Sequence, residues 1–351
     1  MPAAELFFPM IRILTISFVT FVLGLAGAPL LIRLLTKYKM GKQLRDAKDA
    51  PVFASLHAAK AGTPTMGGII IWLTVTVVIL VFWTKCKLFG GAVCDWNFLT
   101  RSQTLLPLGA LVAAALVGLL DDYLNVRRIG PKGGGLRMRH RLISYTAIAT
   151  VVAWWFFSKL SWTYIHIPFS GNLELGWLAI PAVILVIVAT SFSVNETDGL
   201  DGLAGGPLMA AFASYATIAL LQGKVELAVF CAAIVGALMA FLWFNVTPAR
   251  FFMGDTGAMS LGTVLGVVAL LTNQPLLLLV IGLPFVIESL SVIIQITSKK
   301  LRGKKVFLSS PIHHHFEAIG WKESQIVFRT WIISFFSAAA GIILALLDRL
   351  Y

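Results

Sequence analysis

Charge is scarce in this sequence. Only 13% of its 351 residues are Asp, Glu, Lys or Arg, where soluble domains carry about 25%. That paucity, beside 58% hydrophobic residues, excludes an ordinary soluble enzyme. It also excludes a disordered chain, which needs low hydrophobicity and high charge. Cysteine is scarcer still: Cys86, Cys94 and Cys231 are the only three. Without a C-x-x-C spacing they make neither a disulfide-stapled module nor a zinc framework. No internal repeat is visible. Apart from Gly133-Gly134-Gly135, which reads as a flexible turn, no low-complexity run occurs. Acids are outnumbered, 16 against 28 basic residues, for a net charge of +12. On a soluble protein such an excess points to nucleic acid. Here the basic residues lie along loop edges without interleaved aromatics, membrane orientation accounts for them, and no nucleic-acid partner is expected.

What is abundant is apolar sequence in lengths that cross a bilayer, about 20 residues each. Ten segments stand out, at roughly 11–35, 65–84, 104–124, 142–158, 175–194, 205–221, 227–246, 257–272, 276–297 and 326–347. The expected fold class is an all-α polytopic membrane protein of about ten transmembrane helices, forming a single integral membrane domain over 1–351. The ninth segment contains Pro284 and Glu288, so a break or a projection from the membrane is expected there. The N-terminal segment is too long for a signal-peptide core and reads as a first span. All but seven of the 28 lysines and arginines fall in or beside loops 36–64, 125–141, 247–256 and 298–325. The exceptions are Arg12, Lys85, Lys87, Arg101, Lys159, Lys224 and Arg349. Positive charge marks the cytoplasmic side, so these loops, with 195–204, are expected inside and both termini outside. Cys86 and Cys94 share an external loop, where pairing and two free thiols are equally open; Cys231 lies in a span as packing.

Carboxylates at span ends are costly and read first as functional. Asp121, Asp122, Asp198, Asp201 and Asp255 all fall on the predicted cytoplasmic face, from three separate stretches. Asp121 and Asp122 end the third span; adjacent like charges repel, and a divalent cation or a basic neighbour is needed to keep both ionised. The bland alternative is an interfacial pair with Arg127 or Arg128. Asn195-Glu196-Thr197-Asp198-Gly199-Leu200-Asp201 carries more polar groups than one helix cap requires. If it opens the next helix, Asp198 and Asp201 share a face. Asp255, between Gly254 and Thr256-Gly257, reads equally as an N-cap or as an oxygen ligand for a hard cation.

Two further stretches share that face. Pro311-Ile312-His313-His314-His315-Phe316-Glu317 lies in the last cytoplasmic loop, where imidazoles can meet phosphate or sugar oxygens. A zinc site is disfavoured because no cysteine accompanies it there; three solvated histidines are the bland reading. His57 to Gly68 enters the second span with Lys60, a point charge suited to phosphate, hydroxyls at Thr63 and Thr65, and glycines at 62, 67 and 68. A proline-marked helix start with an orienting lysine is the bland reading here. Together these pieces fit Mg²⁺-assisted phosphate chemistry at the inner membrane face, since an anionic substrate is repelled by the carboxylates unless a cation bridges them.

His57 to Gly68, Asp121-Asp122, Asn195 to Leu203, Phe244-Asn245 with Pro248-Ala249, Phe252 to Gly257, and Pro311 to Glu317 with Gly320-Trp321 run in order over nearly the whole chain. So ordered, they resemble the polyprenyl-phosphate N-acetylhexosamine-1-phosphate transferase family. The likeness is greatest to its bacterial branch acting on UDP-MurNAc-pentapeptide, and the His run is its most specific part. The resemblance implies a cytoplasmic cleft, a homodimer and a Mg²⁺ cofactor. It implies that phospho-MurNAc-pentapeptide passes from UDP-MurNAc-pentapeptide to undecaprenyl phosphate, giving lipid I and UMP. By motif matching it makes Asp255 the Mg²⁺ ligand, with Asp121 and Asp122 as alternatives. Asp121 becomes the base or lipid-phosphate partner with Asp122 beside it, and His313 the essential histidine. Lys60 meets the diphosphate, with Thr65 in the same substrate-binding stretch. Asn195, Asp198, Asp201 and Asn245 line the cleft, Phe252 stacks on uracil, and His314 and His315 contact the nucleotide-sugar. Gln295, on the inner half of the ninth span, is a further candidate. Asn125, Phe192 and Glu196 depart from the family's pattern. A sister transferase using UDP-GlcNAc is the nearest rival; a proton- or ion-coupled transporter and a scaffold without chemistry are the others.

Overall fold

In the computed structural model, which describes residues 3–41, 60, 62–130 and 134–350, the chain is 74% helical. The helices are α1 (Ala3–Lys37), α2 (Ile69–Phe89), α3 (Leu105–Val126), α4 (Met138–Lys159), α5 (Ala179–Thr197), α6 (Gly205–Leu221), α7 (Val225–Asn245), α8 (Gly254–Leu271), α9 (Leu278–Ile281), α10 (Leu283–Arg302), α11 (Ile312–Ala318) and α12 (Glu323–Leu347). Eight of them, α1 to α5, α7, α8 and α12, are long and apolar enough to cross a membrane. At 1.5 Å per residue, the 22 residues of α3 span about 33 Å, close to the hydrocarbon thickness of about 30 Å. Helix α6 is apolar but only 17 residues long.

The ninth expected segment departs from a plain span, and the reason is chemical. It breaks at Gly282 into the short α9 and then α10, which has Pro284 in its first turn. Proline is tolerated there because the first N–H groups of a helix have no intrahelical partner. Helix α10 is amphipathic: Glu288, Ser289, Gln295 and Ser298 are buried, while Ile293, Ile294, Ile296 and Leu301 are exposed.

Apolar composition alone does not tell lipid-facing helices from central ones. The most apolar stretches of α7 and α8 are each 83% buried, whereas that of α1 is 17% buried. These two helices lie at the centre of a core to which most of the others contribute, with Phe230, Phe241, Leu265 and Val268 wholly enclosed. In a bilayer the helices gain little from hydrophobic attraction to one another, so close backbone approach matters more. A Cβ at Gly236 of α7 would lie 2.0 Å from the Ser17 carbonyl oxygen of α1. A Cβ at Gly118 of α3 would lie 2.4 Å from the Asp255 carbonyl oxygen of α8.

One two-stranded hairpin interrupts the helices: β1 (Tyr164–Ile167) pairs antiparallel with β2 (Gly171–Glu174), Tyr164 opposite Glu174. It was not expected, because four residues per strand leave too short an alternation to stand out. Asp348, just past α12, fastens it: the carboxylate accepts from the Phe169 N–H at 2.6 Å, pairs with His166 Nε2 at 2.6 Å and accepts from Gln274 Nε2 at 3.2 Å. Burial opposes ionisation of Asp348, but the Phe169 N–H, His166 and Gln274 outweigh it and hold the carboxyl below its ordinary value.

Cys86, at the end of α2, is bonded to Cys94 in the following 3₁₀ turn (Gly91–Trp96), and Cys231 is a buried free thiol in α7. Denatured, unreduced protein is therefore expected to take up one maleimide per chain and reduced protein three, read by intact mass. Three additions without reductant would refute the pairing.

Candidate functional site

The expected residues gather at one end of the bundle, where α3, α5, α7 and α10 finish and α2, α4, α6, α8 and α12 begin. At its centre is Arg141, in the first turn of α4. Its Nε lies 2.6 Å from Asp121 Oδ2, and a terminal nitrogen lies 2.8 Å from Asp255 Oδ2. Its other terminal nitrogen donates to Asn195 Oδ1 at 3.3 Å. Asn195 Nδ2 in turn donates to Asp255 Oδ1 at 2.5 Å. One guanidinium thus ties together α3, α5 and α8. An arginine presents its donors in a rigid fork suited to several oxygens at once.

Asp121 is wholly buried and also accepts the Leu136 N–H at 2.5 Å. Asp122, next to it, faces elsewhere. Its Oδ1 accepts the Asp255 N–H at 3.1 Å and its Oδ2 the Thr256 N–H at 3.0 Å. Those are first-turn donors of α8, which have no intrahelical partner. Asp122 supplies the anion that a helix N-terminus favours. The adjacent carboxylates therefore have separate work, one toward Arg141 and one as a tertiary cap. Asp255 itself sits in the first turn of α8 and makes no side-chain cap, so the N-cap reading of that residue is corrected. Thr65 is buried. Its hydroxyl and the Asp122 carboxylate both crowd the place where a Cβ on Gly254 would sit, at 2.8 Å and 2.5 Å.

Lys60 makes a second cluster. Its ammonium lies 2.6 Å from Asp201 Oδ1 and 2.5 Å from Glu323 Oε1. It is 6.0 Å from the centre of the Phe252 ring, within reach of a cation–π contact. Asp201 Oδ2 accepts the Ala249 N–H at 3.0 Å, and its own N–H donates to Glu323 Oε1 at 2.7 Å. The glycine-rich entry to α2 is pinned to the same region: the Gly67 and Gly68 N–H groups donate to the Phe252 and Met253 carbonyls at 2.7 and 2.8 Å. His57 to Ala59, and Ala61, of that stretch lie outside the described residues.

The segment 195–204 joins the clusters, but not as a helix start. Helix α5 runs through Asn195 to Thr197, Asp198 follows it as the C-cap, and turns carry the chain to α6. Asp198 and Asp201 therefore do not share a helical face, which corrects that expectation. Asn245 clamps the segment from α7, accepting the Gly202 N–H and donating to the Phe251 carbonyl, both at 2.9 Å.

The histidine run is helical rather than a loop, forming α11. His313 is buried, with Nδ1 2.9 Å from Glu288 Oε2 on α10. His314 Nδ1 lies 2.7 Å from Glu317, and His315 Nδ1 accepts the Leu308 N–H at 3.3 Å. Gln295 is occupied with backbone: it accepts the Val306 and Phe307 N–H groups and donates to the Phe307 carbonyl. It holds the loop before α11.

Arg141, Glu288 and Glu323 were not picked out by the sequence reading. Arg141 was counted among orienting charges. Glu288 was noted only as an acid in a span, and that cost was the available signal. Among the described residues no group of three or more His, Cys, Asp or Glu side chains is arranged to hold a metal.

The polytopic helical bundle gathers its buried carboxylates, Lys60 and Arg141 at one end, and comparison with known proteins puts it in the class of membrane-embedded transferases. The family model of glycosyl transferase family 4 matches residues 104–273. Signature 1 of the phospho-N-acetylmuramoyl-pentapeptide-transferases matches residues 60–71, which carry Lys60 and the Gly67–Gly68 turn. A phospho-N-acetylmuramoyl-pentapeptide-transferase of Bacillus anthracis (strain A0248) is 41% identical over 327 residues, 92% of this chain and 95% of its own. Relatives of the same name from Bacillus thuringiensis (strain Al Hakam) and Bacillus cereus (strain AH187) are 40% identical over the same extent. The chain belongs to the phospho-N-acetylmuramoyl-pentapeptide-transferase family.

The capping role of Asp122 is directly testable. Asp122→Ala strands two buried backbone donors, each costing about 1–3 kcal/mol, so its thermal unfolding midpoint in detergent is expected to fall clearly below that of wild type. Asp122→Asn, which keeps one acceptor oxygen, is expected in between. Equal midpoints for all three proteins would remove the cap.

Proposed function

We propose that this protein transfers phospho-MurNAc-pentapeptide from UDP-MurNAc-pentapeptide to undecaprenyl phosphate, releasing UMP and forming lipid I, the lipid-linked precursor of peptidoglycan. The observation that carries this reading is the meeting of the signature stretch with the carboxylate end of the bundle, Lys60 on Asp201 and Gly67–Gly68 on the turn before Asp255.

The donor set fits Mg²⁺ in the mode in which it commonly binds, through one or two carboxylates with the remaining positions left to water and substrate phosphate. It does not fit a closed protein cage. Asp255 is the proposed ligand, with Asp121 as the second carboxylate, since the two share Arg141 whereas Asp122 is turned to the backbone of α8. Bound there, the ion supplies neutralisation of the charge on the transferring phosphoryl group.

The chain's own residues do the positioning. Lys60, beside Phe252, meets the diphosphate while the ring stacks on uracil. Asn195, Asp198, Asp201 and Asn245 shape the wall between the Lys60 and Arg141 clusters. Asp121 receives the lipid phosphate, holding it or taking its proton, so that it can attack the sugar-linked phosphorus in line. His313, with His314 and His315, faces the nucleotide-sugar. On this reading the protein is a homodimer of the bacterial cytoplasmic membrane, with both termini outside and the site on the cytoplasmic face; the distribution of lysine and arginine supports that orientation.

Purified protein given UDP-MurNAc-pentapeptide and undecaprenyl phosphate is expected to release UMP only with both substrates and Mg²⁺, and to stop with EDTA. Release from UDP-GlcNAc instead would move the protein to a sister activity. Asp255→Asn is expected to lose about 10²-fold or more in kcat, the scale of a transition-state electrostatic contact. Near-full Mg²⁺-dependent turnover by that variant would overturn the metal assignment.

A further inference from the structure

His313 and Glu288 form a buried pair outside the Arg141 and Lys60 clusters. His313 is 1% exposed and Glu288 is 4% exposed. Glu288 Oε2 lies 2.9 Å from His313 Nδ1, and the same oxygen accepts the His313 backbone N–H at 3.5 Å. The carboxylate sits on a fixed stretch of α10: the Ser291 hydroxyl donates to the Glu288 carbonyl at 2.6 Å, and the Ser289 hydroxyl donates to Ser193 of α5 at 2.6 Å.

An ionised carboxylate only accepts hydrogen bonds, so the ring nitrogen facing it must carry a proton. A neutral imidazole has one such proton, which leaves Nε2 with its lone pair. Nε2 is buried and has no hydrogen-bond partner among the described residues. It lies against Gly199: a Cβ there would come 2.2 Å from it, so only glycine lets the ring reach the turn. That turn belongs to the segment carrying Asn195 to the Arg141 cluster and Asp201 to Lys60. A buried polar atom without a partner is unfavourable, and its place against the turn that links the Arg141 and Lys60 clusters gives a reason for its retention.

We propose that Glu288 is a positioning residue for His313, fixing the proton on Nδ1 and presenting Nε2 as the free acceptor at the 198–201 wall of the cleft. The catalytic consequence rests on the transferase reading above. Orienting the partner of a reacting imidazole is a recurrent way to set its tautomer.

Two measurements separate this role from simple packing. In ¹⁵N-histidine-labelled protein, with His313 assigned through its loss in His313→Asn, the ring is expected in the Nδ1–H form. Glu288→Leu is expected to move it toward Nε2–H, and a neutral Nε2–H ring in wild-type protein overturns the proposal. In turnover, Glu288→Leu is expected to lower kcat by about 10²-fold, within the range of a misdirected acid–base group, with the KM for the nucleotide substrate little changed. Glu288→Gln, whose amide oxygen still accepts the Nδ1 proton, is expected to recover most of that loss. In a His313→Asn background the Glu288 changes are expected to cost nothing further, whereas an equal loss there marks a purely structural role and overturns the proposal. Should Glu288→Leu not fold, the wild-type tautomer and the Glu288→Gln cycle decide it. Should the protein transfer nothing, the functional reading fails while the tautomer result still decides the positioning role.

Discussion

Asp121, Asp122, Asp201 and Glu288 are all at least 95% buried, and burying a charge is tolerated only when it is paired and hydrogen-bonded. Each carboxylate is met by a donor from a different part of the chain. Arg141 of α4 answers Asp121 of α3 and Asp255 of α8. Lys60 answers Asp201 and Glu323 of α12. The amide N–H groups of α8 answer Asp122, and His313 of α11 answers Glu288 of α10. The compensations are all tertiary, so satisfying the charges also fixes how the helix ends sit against one another. Removing one partner leaves an uncompensated buried charge, which costs far more than losing the pair as a unit.

The same arrangement explains why this end of the bundle is ordered while being polar. Apolar packing holds the opposite halves of α7 and α8, where Phe230 and Leu265 are fully enclosed. Near the site the helices are joined by close backbone approach and short polar bonds. Gly118 brings α3 against the Asp255 carbonyl, and Asn245 bridges the turn at Gly202 to the carbonyl of Phe251. A ligand-binding region built on helix ends is more rigid than one built on loops, which suits a reaction whose catalysis lies mainly in positioning.

Much of this was legible in the sequence, because bilayer length and charge asymmetry act on whole segments. The apolar runs gave α2 to α8 and α12 to within about five residues, and α1 except for its start at Ala3, which precedes the apolar run read from residue 11; Pro284 with Glu288 marked the break near α10. The acidic stretches were legible as a group, since each acid at a span end is a local anomaly. What was not legible depends on direction rather than composition. Arg141 is one of many basic residues in its loop, and nothing local says that α4 turns it inward. The two aspartates at 121 and 122 look alike, and only the fold sends one to Arg141 and the other to α8. The histidine run reads as a loop because seven helical residues give too little periodicity, and the helical face of Asp198 and Asp201 failed because α5 ends at Thr197. Gln295 and Asn245 entered through the family resemblance, which names a position but not its partner: an amide that clamps backbone and one that meets a ligand have the same sequence signature.

Charge balance links the resting site to its proposed substrates. Arg141 faces two carboxylates, Asp121 and Asp255, and Lys60 faces two, Asp201 and Glu323. Each cluster is in excess of negative charge by one before any substrate arrives. A diphosphate that draws Lys60 or Arg141 toward itself leaves carboxylates uncovered, and in a poorly solvated site that repulsion is strong. On the proposed reading, an anionic substrate and a divalent cation would therefore favour each other's binding, each lowering the cost of the other. That reciprocity is what linkage requires of two ligands sharing one set of charges. It also gives the acids a reason to lie on the face where positive charge predominates.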